Sequence, residues 1–234
     1  MAGGELAARC GVVDLWPETG GTVGDPYIAL WWLPVGAGGH FVVHTSRWWE
    51  EARAWKERRA ARPLFHAALE IFTGQERYVV EMAPAWGRDS RSRNVVATGP
   101  VGLHWLGRFQ LFRYEVRCWN GGDIPDRAFA PAQPTLISLT SAEVESLVWR
   151  VGEVPRYTWG RDPGKGGDPQ RACTSGRACA LGRVGDMWNS NSLISWLLET
   201  SGIDTAELVP PHGGSAPGWV AGVTVARFGL AHSA

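Results

Sequence analysis

The part of the sequence best suited to chemistry is the run Asn189-Ser190-Asn191-Ser192, which stands directly before an apolar stretch. The apolar residues that follow recur at helical spacing, so the run is predicted to begin a buried helix. The first N–H groups of a helix lack intrahelical partners and attract negative charge, so small polar side chains there can form an oxyanion site. One capping residue would explain the start of a helix. Because the sequence supplies four, Asn189 to Ser192 is the candidate functional site.

A serine at this position becomes a nucleophile only when a base removes its proton. Six histidines could supply that base: His40, His44, His66, His104, His212 and His232. His40 is the best placed of them, because it begins a short β-branched segment directly after a glycine-rich turn and so can sit at an accessible strand end. The residues alone therefore pair Ser190 or Ser192 with His40.

Several segments that could position these residues are predicted as strands, because they are β-branched or aromatic and end at proline or glycine. They cover residues 27–34, 40–46, 76–82, 95–119 and 220–228. In the fourth of them, alternation directs Arg113, Glu115 and Arg117 to one face and Tyr114, Val116 and Cys118 to the other. The three charged residues are interpreted as an ion-pair ladder in preference to a site for a carboxylate or phosphate ligand.

Other segments are predicted as helices or loops. Residues 47–72 have a helical pattern that Pro63 divides into two helices. A further helix is predicted at about residues 141–149 with Ser141 as its cap, and the helix that begins at the candidate site is expected to end at Gly202. Residues 160–185 lack apolar periodicity and are interpreted as a loop insertion in a single α+β domain of residues 1–234.

Three of these features together resemble the circularly permuted papain-like proteins: a strand that opens with histidine, a next strand that ends near Glu81, and a late helix that opens with Asn-Ser-Asn-Ser. That superfamily includes the NlpC-type peptidases and the lecithin:retinol acyltransferase group. The resemblance extends to uncharacterised bacterial proteins with an Asn-Ser-Asn-Ser/Thr helix start. It implies an α+β fold in which an antiparallel sheet packs against helices.

The resemblance also implies roles for individual residues. Ser190 would be the nucleophile, His40 the base and Glu81 the residue that orients the histidine, in a hydrolase or acyltransferase acting on an amide or ester bond. The residues expected to contact the substrate are Trp188, Asn189, Asn191 and Ser192. The substrate class is a small molecule, a peptide or a lipid-like compound.

Ser190 departs from the permuted papain-like families, in which the helix typically starts with Asn-Cys or a related pair. Serine lacks the low pKa and the intrinsic nucleophilicity of a thiol. Three interpretations stay open: a serine-based hydrolase or acyltransferase, a non-catalytic ligand- or partner-binding domain on a papain-like scaffold, and a cysteine-to-serine replacement.

Charge and composition exclude several other functions. The 23 basic residues equal the 23 acidic ones, so the chain has no overall field to attract nucleic acid, and no nucleic-acid partner is expected. No apolar run approaches the ~20 residues of a membrane span, and the beginning of the chain lacks a secretory apolar run, so no transmembrane segment and a cytoplasmic location are expected. The 14 tryptophans are interpreted mainly as packing residues.

The four cysteines are irregularly spaced and are interpreted as reduced thiols. Cys173 and Cys179 together with His212 lack the spacing of zinc ligands. No metal and no cofactor are therefore expected.

Overall fold

The computed structural model of the chain describes residues 24–36, 50–51, 54–55, 58–85, 94–124, 126–164 and 183–231. They form a six-stranded sheet with the order β4-β5-β3-β2-β1-β6, in which every pairing is antiparallel. The strands are β1 (Tyr27–Pro34), β2 (Phe65–Phe72), β3 (Arg77–Pro84), β4 (Val95–Pro100), β5 (Arg113–Asn120) and β6 (Thr135–Ser138). The helices of the described part are α1 (Ser141–Val151), α2 (Ser190–Thr200) and α3 (Trp219–Ala231). This arrangement confirms the α+β class with an antiparallel sheet packed against helices.

The helices cover one face of the sheet. The main core combines apolar side chains of α1, α2 and α3 with alternate residues of the strands, among them Leu30, Leu69 and Val80. The intervening strand residues face the other way and form a smaller cluster: Ala29, Trp31, Leu33, Ala68 and Val79, joined by Ile124. The sheet therefore has a helix-covered face and a second face.

β2 corrects the prediction of a helix over the end of residues 47–72. It pairs with β1 along its whole length, from Phe65 opposite Pro34 to Phe72 opposite Tyr27, and with β3 on its other side. Because nearly all of its side chains are buried, on both faces of the sheet, the period of two that marks a half-buried strand is absent from the sequence. The predicted strand at 40–46 lies outside the described residues, as do most of residues 47–57.

The predicted strand at 95–119 is two strands with a connection between them. Residues 104–108 and 110–112 form 3₁₀ turns, in which the N–H of Phe109 donates to Leu106 O and that of Phe112 donates to Phe109 O. The alternation predicted for β5 is confirmed, because Tyr114, Val116 and Cys118 all lie in the main core. The prediction of a strand over residues 106–112 is wrong, because these residues lie in or between 3₁₀ turns and most of their side chains are exposed.

α3 corrects the prediction of a final strand at 220–228. Its buried residues are Ala221, Gly222, Val225 and Ala226, a spacing that only a helix places on one face. At Gly222, a Cβ atom would lie 2.1 Å from Ser192 O, so only glycine lets α3 approach α2 this closely. The helix–helix contact overrides the β propensity of the valines.

The other two helices were predicted correctly except in detail. α1 is capped by Thr140 and not by Ser141, because the Thr140 side chain accepts from the N–H of Glu143 while the Glu143 side chain accepts from the N–H of Thr140. α2 ends just before Gly202, whose φ of 81° suits glycine.

Candidate functional site

The start of α2, residues 189–192, is fixed by a reciprocal cap. Asn189 Oδ1 accepts from the N–H groups of Asn191, at 2.9 Å, and Ser192, at 3.3 Å. In return, Ser192 Oγ accepts from the N–H of Asn189 at 3.1 Å. These bonds satisfy most of the donors that a helix leaves open at its first turn.

Asn191 anchors this helix start to the beginning of β2. Its Oδ1 accepts from the N–H of Ala67 at 2.7 Å, and its Nδ2 donates to Phe65 O at 3.0 Å and Pro217 O at 2.8 Å. The residue is 2% exposed, and these bonds use both amide protons and the amide oxygen. Asn191 thus serves as a structural link between helix, sheet and the turn before α3.

The Pro217–Gly218 turn is held against the same residues. Asn189 Nδ2 donates to Pro217 O at 2.8 Å, and Ser192 Oγ lies 2.7 Å from Gly218 O. Gly218 has a φ of 92°, and a Cβ there would lie 2.3 Å from Asn189 Oδ1, so the turn requires glycine. The predicted substrate contacts of Asn189, Asn191 and Ser192 would therefore compete with bonds that these side chains already make.

Ser190 differs from its three neighbours. It is 7% exposed, and among the residues that the structure describes none shares a hydrogen bond with its hydroxyl or its N–H. The N–H groups of Asn191 and Ser192 are occupied by Asn189, so the donor left for an oxyanion is the N–H of Ser190 itself. The candidate site narrows from four residues to one.

The predicted base, His40, lies outside the described residues, so the pairing of Ser190 with His40 stays a prediction. His66 lies in β2 between Phe65 and Ala67, the two residues whose backbone groups bind Asn191. Burial lowers the pKa of His66 to about 4, so its imidazole is neutral at neutral pH. Its side chain alternates to the face opposite those of Phe65 and Ala67. His66 is therefore not brought to Ser190.

Glu81 is not brought to Ser190. Its neighbours Val80 and Met82 belong to the main core, so Glu81 points to the second face of the sheet, away from α2. There its Oε1 lies 3.5 Å from Nη1 of Arg117, and Arg117 also pairs with Glu115 at 2.9 Å. The expected role of Glu81 as a histidine-orienting residue beside Ser190 gains no support from this position.

Trp188 is 1% exposed and lies in the main core, with its ring 5.0 Å from that of Tyr157. Its position beside the helix start is therefore a packing position, and its ring offers little surface to a substrate.

No cluster of three or more histidine, cysteine or acidic side chains that could hold a metal occurs within the described ranges. Cys118 is buried in β5, whereas Cys173 and Cys179 fall in the part of residues 160–185 that is not described. Of the described helices, none combines the length and the apolar composition needed to cross a bilayer.

No family model matches this chain, and no curated protein or solved structure matches it either. The resemblance to permuted papain-like proteins therefore rests on the sequence motifs alone.

Proposed function

We propose that the chain is a hydrolase or acyltransferase that acts on an amide or ester bond, with Ser190 as its nucleophile. The observation that supports this is that the four residues at the start of α2 have different roles. Asn189, Asn191 and Ser192 hold the first turn of α2 in place, while the hydroxyl and the N–H of Ser190 make no hydrogen bond with a described residue. A hydroxyl that its neighbours hold in place, and that makes no hydrogen bond within the described fold, is suited to catalysis.

The reaction would begin when a histidine removes the hydroxyl proton and Oγ of Ser190 attacks the substrate carbonyl carbon. The Ser190 N–H would donate to the resulting oxyanion, assisted by the positive end of the α2 dipole. The histidinium would then protonate the leaving amine or alcohol. Water would release the acid from the acyl-serine in a hydrolase, and a second alcohol or amine would accept the acyl group in an acyltransferase.

His40 is the base that the resemblance implies. His66 lies between Phe65 and Ala67, whose backbone groups bind Asn191, but its side chain lies on the second face of the sheet, where Leu33 is its cross-strand partner, so His66 is not a candidate for the base.

Labelling with a fluorophosphonate probe tests the proposal. The wild-type protein should be labelled, and Ser190→Ala and His40→Ala should each abolish the label. His104→Ala is the matched control, because that histidine is exposed in the β4–β5 connection, and it should label normally. Labelling that survives Ser190→Ala or His40→Ala would contradict a mechanism in which Ser190 and His40 act together.

A non-catalytic binding domain is the second candidate. It is favoured by the involvement of Asn189, Asn191, Ser192 and Trp188 in the fold, and by the position of Glu81 on the second face. Under this alternative, Ser190 is a small residue at a helix start, and the wild-type protein does not react with the probe at all.

A further inference from the structure

The connection between β4 and β5, residues 101–112, exposes an unusual amount of apolar surface. It is called the β4–β5 prong below. Five of its large apolar side chains are exposed: Leu103, Trp105, Phe109, Leu111 and Phe112. Trp105 is 57% and Leu111 is 62% exposed, and every residue from Gly102 to Phe112 except Leu106 and Gly107 is exposed. The prong therefore projects from the sheet, and a cluster of this kind marks an interaction site.

Hydrogen bonds fix the shape of the prong. Its ends are joined by the N–H of Val101, which donates to Phe112 O at 2.8 Å. Its base is held by the N–H of Gly102, which donates to Trp159 O at 2.9 Å, and by Nε of Arg161, which donates to Gly102 O at 2.6 Å. Because the backbone is already ordered, docking would cost little conformational entropy.

The charges of the prong have one sign. The prong contains one arginine, Arg108, and no acidic residue, and Arg113 follows it directly, although the whole chain has a net charge of zero. The guanidinium of Arg108 lies over the rings of Trp105, at 5.4 Å, and Phe109, at 5.2 Å. An arginine set among exposed aromatic rings complements a surface that is both apolar and anionic, as lipid phosphates above acyl chains are.

The size of the prong distinguishes a lipid surface from a protein partner. A stable protein interface takes about 20–30 residues from each side, whereas the prong is a single segment of residues 101–112. A bilayer requires no such area, and tryptophan and arginine both favour its interfacial layer. We propose that the β4–β5 prong docks this protein peripherally on an anionic lipid surface, with Trp105, Phe109 and Leu111 inserted beside the headgroups and Arg108 at the lipid phosphates.

Co-sedimentation with vesicles tests this proposal. One set of vesicles contains phosphatidylcholine alone, and the other also contains phosphatidylglycerol. The wild-type protein should bind the anionic vesicles more tightly, and added salt should weaken the binding. Leu111→Asp should weaken this binding about tenfold or more. The substitution replaces a leucine that would insert into the bilayer with a charge that the lipid phosphates repel. Arg108→Gln should reduce the preference for anionic vesicles.

Leu136→Asp is the matched control, since Leu136 is 65% exposed but lies in the edge strand β6. It should bind as the wild type does. Circular dichroism checks that both variants keep the wild-type fold, and Phe109→Ser provides a second test of the prong without an added charge. Three results would overturn the proposal: no vesicle binding by the wild-type protein, equal loss in the Leu111 and Leu136 variants, or concentration-dependent self-association that Leu111→Asp abolishes. The last result would identify a second copy of the chain as the occupant.

Discussion

At the start of α2, polar side chains are buried and bind the backbone of β2 and of the Pro217–Gly218 turn, whereas on the β4–β5 prong large apolar side chains face solvent. Asn191 is almost fully buried and uses its amide to join three segments. Leu111 has most of its surface exposed. The start of α2 therefore serves the stability of the fold, whereas the prong is suited to binding. Substitutions of Asn189, Asn191 or Ser192 should destabilise the protein, and substitutions on the prong should leave the fold intact while changing what it binds.

Asn191→Asp is expected to have the largest effect. The carboxylate keeps an acceptor for the N–H of Ala67 but removes both amide protons, and it places negative charge against Phe65 O and Pro217 O. Leaving buried carbonyls unpaired and burying an uncompensated charge should lower the free energy of unfolding by about 3 to 5 kcal/mol. Urea denaturation measures this loss. A loss below about 1 kcal/mol would mean that the helix start is not held as its hydrogen bonds indicate.

His66 provides a test on the second face of the sheet, where its half-buried side chain lies beside Leu33. Burial lowers its pKa to about 4 from an ordinary value of 6.5. The unfolded chain takes up a proton as the pH falls through about 6.5, but the folded protein does so only near 4, so stability is full above this window and falls within it. The expected loss is about 2 kcal/mol between about pH 7 and pH 5.

The control for this pH dependence is His66→Gln, a neutral side chain of similar size. The difference in unfolding free energy between wild type and variant should change by that amount across the same pH range. A difference that is constant with pH would show that His66 titrates in the folded protein as it does in the unfolded chain.

The sequence predicts elements whose signal is local and misses those that depend on distant partners. α2 is predicted from the sequence because its apolar residues repeat at helical spacing and Gly202 follows it. β2 is not predicted, because its side chains are buried on both faces of the sheet and its sequence therefore does not alternate. α3 is not predicted, because the need for glycine at position 222 comes only from its contact with α2. The alternating residues of the prong suggest a strand, since a sequence pattern cannot reveal whether a covering layer exists.

The same limit applies to the candidate site. The four polar residues at the start of α2 could be identified from the sequence. The sequence could not show that three of them hold the helix in place while Ser190 makes no hydrogen bond with a described residue. That division depends on Phe65 and on Pro217, which lie 126 and 26 positions from Asn191 along the chain. The position of Glu81 on the second face likewise follows from the pairing of β3 and not from its own sequence.

The smallest expected effects on stability are at Ser190 in the helix start and at Phe109 on the prong. Ser190→Ala removes a hydroxyl that has no described partner, and Phe109→Ser removes an exposed ring, so each should change the free energy of unfolding by no more than about 0.5 kcal/mol. Phe65→Ser is the contrasting variant, because that ring lies in the main core, and it should lose about 3 kcal/mol or more. Chemical denaturation of the three variants in parallel measures all of these changes.

If Ser190→Ala costs more than about 1 kcal/mol, Ser190 belongs with its capping neighbours, and the argument for a nucleophile at that position fails. If Phe109→Ser does so, the prong is part of the core and not a surface kept for binding.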